Sequence, residues 1–201
     1  MICPVFGAYF SLYIMVDLFN YTRRASSVAH IGALDLGGDN PIRIQSMTTT
    51  NTNDTDACVR QAEEIIKAGG ELVRFTTQGS REAENMKNIN AGIRADGYQT
   101  PLVADVHFNP NVADVAALYC EKVRVNPGNY VDPARKFIKQ EYTDEEYAHE
   151  LQKIEERFVP FLNICKEHHT AIRIGVNHGS LSDRIRNRYG DTPEGIVESC
   201  M

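Results

Sequence analysis

Three strand-like segments each carry one arginine at the same alternating phase. They are Leu72–Thr77 with Arg74, residues 122–126 with Arg124, and residues 171–177 with Arg173. Successive side chains of a strand point to opposite faces, so Val73 and Phe75, Val123 and Val125, and Ile172 and Ile174 share one apolar face. The arginines occupy the other. A permanently charged guanidinium inside a core strand is costly unless something anionic meets it. Three of them converging on one cavity predict a doubly charged ligand, best matched by a diphosphate.

The same alternation extends the inward set strand by strand. Residues 41–47 offer Arg43, Gln45 and Met47, and the second strand adds Thr76 to Arg74. Asp105 and His107 come from the third strand, Asn126 joins Arg124 on the fourth, and Gly175 and Asn177 join Arg173 on the fifth. Arginine forks match phosphate oxygens bidentately, and asparagine amides can complete the shell. Ser180, in the loop after Asn177, sits near a helix N-terminus, a second natural place for an anion. Arg43 alone reads as an edge or ion-paired residue. Asp105 reads equally as a neutraliser of one arginine or as a ligand contact. His107 reads as an acid/base group or a hydrogen-bonding spacer. His168 and His169 read as solvated surface. No HExxH, Cys-His-Asp or paired-carboxylate arrangement is present.

The elements that must position these groups alternate along the chain. Strands at residues 41–47, Leu72–Thr77, 101–107, 122–126 and 171–177 are separated by helical patterns. One helix covers residues 54–68 and stops at Gly69-Gly70. A second opens with Ser80 as N-cap and runs to Ala95, and a third runs from Pro110 to Glu121. Before the fifth strand lies a charged block, residues 136–169, in which Thr143 and Glu146 form a capping box. Thr192-Pro193 opens a last helix. Repeated strand–helix units imply parallel strands with crossover helices. A dinucleotide-type glycine fingerprint is missing after the first strand, and polar residues gather at every strand end. Both favour a closed barrel over a doubly wound sheet. The expected fold is therefore α/β: an incomplete TIM-like (β/α)8 barrel of about five parallel strands, with a helical elaboration before the fifth.

Composition sets wider bounds. The chain has 201 residues, 42% of them apolar and 24% charged, as in soluble single domains. A net charge of −6 argues against a general nucleic-acid surface, so any cationic site must be local. Five scattered cysteines (Cys3, Cys58, Cys120, Cys165, Cys200) show neither a disulfide framework nor metal-ligand spacing. Nothing in their spacing binds an iron–sulfur cluster. Reduced, cytoplasmic thiols are the expectation. Residues 5–16 are almost wholly apolar, yet they lack a preceding basic residue and a cleavage site, and fall short of the about 20 residues of a membrane span. A true start at Met15 is the simpler reading of residues 1–16, and an uncleaved leader is the alternative.

Five ordered motifs resemble one family. "GGDNPIRIQSMTTTNTNDT", "GGELVRFTTQG", "PLVADVHFNP", "KVRVNPGNY" and "AIRIGVNHGSLSDRI" are similar to the 4-hydroxy-3-methylbut-2-enyl diphosphate synthases of the methylerythritol phosphate route to isoprenoids. The likeness runs from Asp17 to Met201, and the 136–169 block resembles the family's larger variant. It implies an oxidoreductase that reductively opens 2-C-methyl-D-erythritol 2,4-cyclodiphosphate with loss of water. A [4Fe–4S] cluster passes on electrons from flavodoxin or ferredoxin, in a homodimer without nucleic acid or membrane. By the resemblance, Arg74, Arg124 and Arg173 match diphosphate-binding arginines. Asp105, His107, Asn126 and Asn177 match other pocket residues, and Gln45, Ser46 and Met47 match the floor contributed by the first strand. Residues 17–201 then form the N-terminal part of the substrate-binding barrel. The family's later strands and cluster domain have no counterpart here, so no cofactor is expected on this chain alone, nor a catalytic residue. Two alternatives stand beside this reading: a binding-only fragment that takes phosphate ligands, and a pteroate-synthase-like phosphate-handling barrel.

Overall fold

The computed structural model describes residues 24–107, 109–132 and 141–201. Residues 1–16, with the question of their start, and residues 136–140 of the charged block lie outside the described residues. A short antiparallel hairpin comes first, β1 (Ala29–Ile31) and β2 (Leu34–Leu36), turned through Gly32 at φ 57°. Five parallel strands follow in sequential order: β3 (Gln45–Met47), β4 (Leu72–Thr77), β5 (Leu102–Val106), β6 (Lys122–Val125) and β7 (Ala171–Ile174). Between them run α1 (Thr55–Lys67), α2 (Ser80–Ala95), α3 (Pro110–Ala117) and α4 (Asp144–Glu167). Beyond β7 come α5 (Asp183–Tyr189) and α6 (Pro193–Cys200). The architecture is α/β, and its sequential parallel order is that of an incomplete barrel.

Strand alternation sorts the core into two layers. Val73, Phe75, Ala104, Val106, Val123 and Val125 face the helices and pack with Cys58, Ala62, Met86, Ile89, Ile93, Val112 and Phe161. Burying a side chain such as Phe75 contributes about 1.5–3 kcal/mol. On the opposite face, Leu72 and Val103 pack against Ile31, so the hairpin covers the lower end of the lumen wall. The charged and polar residues stand above that layer.

Local chemistry explains most boundaries. Asp54 caps α1 by accepting from Ala57 N–H at 3.0 Å, and Thr143 and Glu146 cap α4 reciprocally. Three limits differ from expectation. The first strand is shorter, because the Glu71 carboxylate takes Ile44 N–H at 2.9 Å and the Arg43 guanidinium at 2.8 Å, ahead of the ladder. The cap of α2 is Gly79, not Ser80: Glu82 reaches back to Gln78 N–H at 2.6 Å and Gly79 N–H at 2.8 Å. Helix α3 ends at Ala117 instead of Glu121, because side chains take its last carbonyls. Thr170 Oγ donates to Ala117 and Cys120 carbonyls, and Asn90 Nδ2 to that of Tyr119.

Candidate anion-binding site

Strand register brings the polar face together row by row. Thr76 lies beside Asp105, Asp105 beside Arg124, and Arg124 beside Arg173. One row lower, Met47, Arg74, Val103 and Lys122 follow one another across β3 to β6. Asp105 is the hub. Its carboxylate, 2% exposed, is ion-paired with the Arg74 guanidinium, stands 3.4 Å from Arg124 Nη1 and 3.2 Å from His107 Nε2. Arg124 Nη1 also lies 3.2 Å from His107 Nδ1. A guanidinium can only donate, so toward Arg124 the imidazole accepts.

Glycine makes room for Arg124. Its Nη2 donates to the Gly175 carbonyl at 2.6 Å, and its shaft lies against the Gly175 Cα. A Cβ at residue 175 would fall on the guanidinium, 2.7 Å from both Cδ and Cζ. Only glycine lets this arginine lie flat across β7.

The cationic excess is large. Arg74, Arg124, Arg173 and Lys122 share the wall with one carboxylate, Asp105. Arg173 is exposed, and among the described residues it has neither a carboxylate nor a hydrogen-bond partner. Arg74 Nε is a buried donor that no acceptor among the described residues meets. Lys122 is 7% exposed; its burial, followed by the neighbouring charges of Arg173 and Arg74, holds its ammonium below the usual lysine range. Together with Arg43, Gln45 and Arg173 it lines a cavity of about 460 Å³. Such a wall can hold and orient a dianion. It presents no activated nucleophile.

The remaining expected site residues are placed unevenly. Asn126 lies at the end of β6, buried, its Nδ2 3.4 Å from Ser180 Oγ. Asn177 is exposed and caps the following turn, its Oδ1 accepting from Gly179 N–H at 2.9 Å. Ser180 ends that 3-10 turn, and the next helix is capped by Ser182. Gln45 and Met47 share the lumen phase at the edge strand. Ser46 alternates with them and pairs in register with Val73, so it is not brought to that face. Arg43 is ion-paired with Glu71 and donates to the Asp35 carbonyl at 2.9 Å. His168 and His169 are exposed. Lys122 escaped the sequence reading, although it stands two residues before Arg124 and so on the same face.

None of the described cysteines is part of the site. Cys58, Cys120 and Cys165 are buried, their thiols pushed up by burial, Cys165 to about 12. Among the described residues no three His, Cys, Asp or Glu side chains could hold a metal ion. The described residues therefore do not fit an iron–sulfur cluster.

Parallel strand–helix repeats with cations gathered on one face define a cationic wall of a (β/α) barrel. More narrowly, the model of the family described as the GcpE TIM-barrel domain matches residues 26–201, and the chain belongs to that family. It is 76% identical over 186 residues to the 4-hydroxy-3-methylbut-2-en-1-yl diphosphate synthase (flavodoxin) of Phocaeicola vulgatus, covering 92% of this chain and 30% of that one. The protein of the same name from Bacteroides thetaiotaomicron is 75% identical with the same coverage. That of Akkermansia muciniphila is 53% identical over 91% of this chain and 31% of its own length. The chain thus spans under a third of the length of these relatives. A crystal structure of Burkholderia cenocepacia dihydropteroate synthase complexed with 7,8-dihydropteroate matches with a TM-score of 0.46 and 16% identity, over 78% of this chain and 65% of that one. Family membership supports the synthase reading over the pteroate one. Among the described residues no helix is long and apolar enough to cross a membrane.

Proposed function

We propose that this chain is the diphosphate-binding part of a 4-hydroxy-3-methylbut-2-enyl diphosphate synthase. The reaction is the two-electron ring opening and dehydration of 2-C-methyl-D-erythritol 2,4-cyclodiphosphate in the cytoplasm. One observation carries the reading: Arg74, Arg124 and Arg173 share one face, with one carboxylate among them and Arg173 without a partner among the described residues. The diphosphate takes the place of missing countercharge. Arg173 and the unused Arg74 N–H supply donors, Arg124 and His107 hold the Asp105 side, and Asn126, Asn177 and Ser180 frame the mouth. Gln45 and Met47 complete the floor from the first strand.

In the family reading a [4Fe–4S] cluster supplies the electrons from flavodoxin or ferredoxin, within a homodimer. The described residues do not fit that cluster, so their share is to bind and orient the anion.

The test is the native protein from its own cell: its intact mass, its affinity for the cyclodiphosphate, and its turnover with a reduced electron donor. Turnover supports the proposal in full. Binding with no turnover reduces it to a binding-only chain. Preference for a pterin diphosphate overturns it.

A further inference from the structure

The Asn126 carboxamide is held in one orientation from both ends. Its Oδ1 accepts from Gly128 N–H at 3.1 Å and from the Ser199 hydroxyl at 3.2 Å. Its Nδ2 lies 3.4 Å from Ser180 Oγ. The Ser180 hydroxyl gives its own proton to the Asn177 carbonyl at 3.1 Å, so toward Asn126 it accepts. Turning the carboxamide over would set its NH2 against the Gly128 N–H, which can only donate, and its oxygen against a lone pair of Ser180. Oxygen inward and nitrogen outward is the arrangement that satisfies all three neighbours.

Ser199 reaches this point from α6, far along the chain, and is 1% exposed. The helix lies so close to the turn after β6 that a Cβ on Gly128 would sit 2.7 Å from both the Cα and the carbonyl oxygen of Ser199. Glycine at 128 is what admits the hydroxyl. Arg184 of α5 steadies the same turn, its Nη2 donating to the Gly128 carbonyl at 3.2 Å.

We propose that Ser199 is a positioning residue for the anion site. Acting with Gly128 N–H, its hydroxyl locks Asn126 as a donor. One carboxamide N–H is taken by Ser180, and the other is offered to the anion held by Arg124, two residues earlier on the same face. Without the hydroxyl a single N–H steadies the oxygen, and the carboxamide turns part of the time to present its oxygen to the anion. The inference rests on the diphosphate-site reading above.

The experiment is a double-mutant cycle on pyrophosphate affinity by calorimetry, with Ser199→Ala, Asn126→Ala and the pair, each checked for folding by its melt. Ser199→Ala is expected to weaken binding about fivefold, the worth of one neutral hydrogen bond. In the Asn126→Ala background it is expected to change nothing, because Ser199 acts through Asn126. An equal loss in both backgrounds would make Ser199 merely structural and overturn the proposal, as would no loss in either. A second readout separates this from the site itself: proton exchange of the Asn126 carboxamide by NMR, slow in the wild type and faster in Ser199→Ala. Should the wild type fail to bind pyrophosphate, the diphosphate reading falls while faster exchange still upholds the lock. Equal exchange rates in the two proteins refute it.

Discussion

Gly175→Ala is the smallest change that should dismantle the anion wall without touching a charge. The backbone of residue 175 is outside the left-handed region, so alanine brings no backbone strain there. The added methyl would occupy the space of the Arg124 guanidinium, 2.7 Å from its Cδ and Cζ. Two packed groups cannot share that volume, and the arginine is the movable one. It then gives up its 2.6 Å hydrogen bond to the Gly175 carbonyl and its contacts with Asp105 and His107. Overpacking of this kind costs about 1–3 kcal/mol of stability. An ionic hydrogen bond from Arg124 to the ligand is worth about 1.5–3 kcal/mol, so pyrophosphate affinity should fall about ten- to 150-fold. Calorimetric titration and a thermal melt of the two proteins give both quantities. Unchanged affinity in a folded Gly175→Ala protein would mean that Arg124 does not serve the anion from where it lies, and would refute the reasoning.

Other outcomes follow from the same geometry. Asp105→Asn removes the carboxylate shared by Arg74 and Arg124; breaking a buried pair costs about 3–5 kcal/mol, so the melt should fall while pyrophosphate binds more tightly. Lys122→Met should stabilise the fold by about 0.5–2 kcal/mol, because burial disfavours the ammonium in the native state. The folded pKa of Lys122 lies below its unfolded value, so between the two the unfolded chain alone holds the proton. Stability should therefore rise with pH through the folded pKa, and denaturant titrations should show that rise in the wild type but not in Lys122→Met. Arg43→Ala should leave pyrophosphate affinity unchanged, since that guanidinium is ion-paired with Glu71 and bonded to the Asp35 carbonyl; a tenfold loss would return it to the site.

The strand arginines were legible because a period of two needs no tertiary knowledge: Val73 and Phe75 inward to the helices forces Arg74 the other way. Helix caps at Thr143 and Thr192 were equally local. What escaped depends on partners distant in the chain. Glu71 removes the front of the first strand from the ladder from 27 residues away, and Thr170 trims α3 from across β6 and α4. The hairpin at Ala29–Ile31 and Leu34–Leu36 is too short for alternation to stand out, and its worth lies in covering Leu72 and Val103. In the site, alternation predicts which residues share a face but not which of them pair. That Asp105 would take Arg74, and that Arg173 would be left with none of the described residues as partner, required the register of β4 to β7. Ser199 carries no motif of its own; its role beside Gly128 is visible only once α6 lies on the turn after β6.

The most direct measurement is calorimetric titration of 2-C-methyl-D-erythritol 2,4-cyclodiphosphate into the wild-type chain and into Arg74→Ala, Arg124→Ala and Arg173→Ala. Three guanidiniums on one anion predict saturable one-to-one binding, weakened about ten- to 150-fold by each substitution and reduced by added salt. Binding that survives all three substitutions, or none by a folded wild-type chain, would contradict the account.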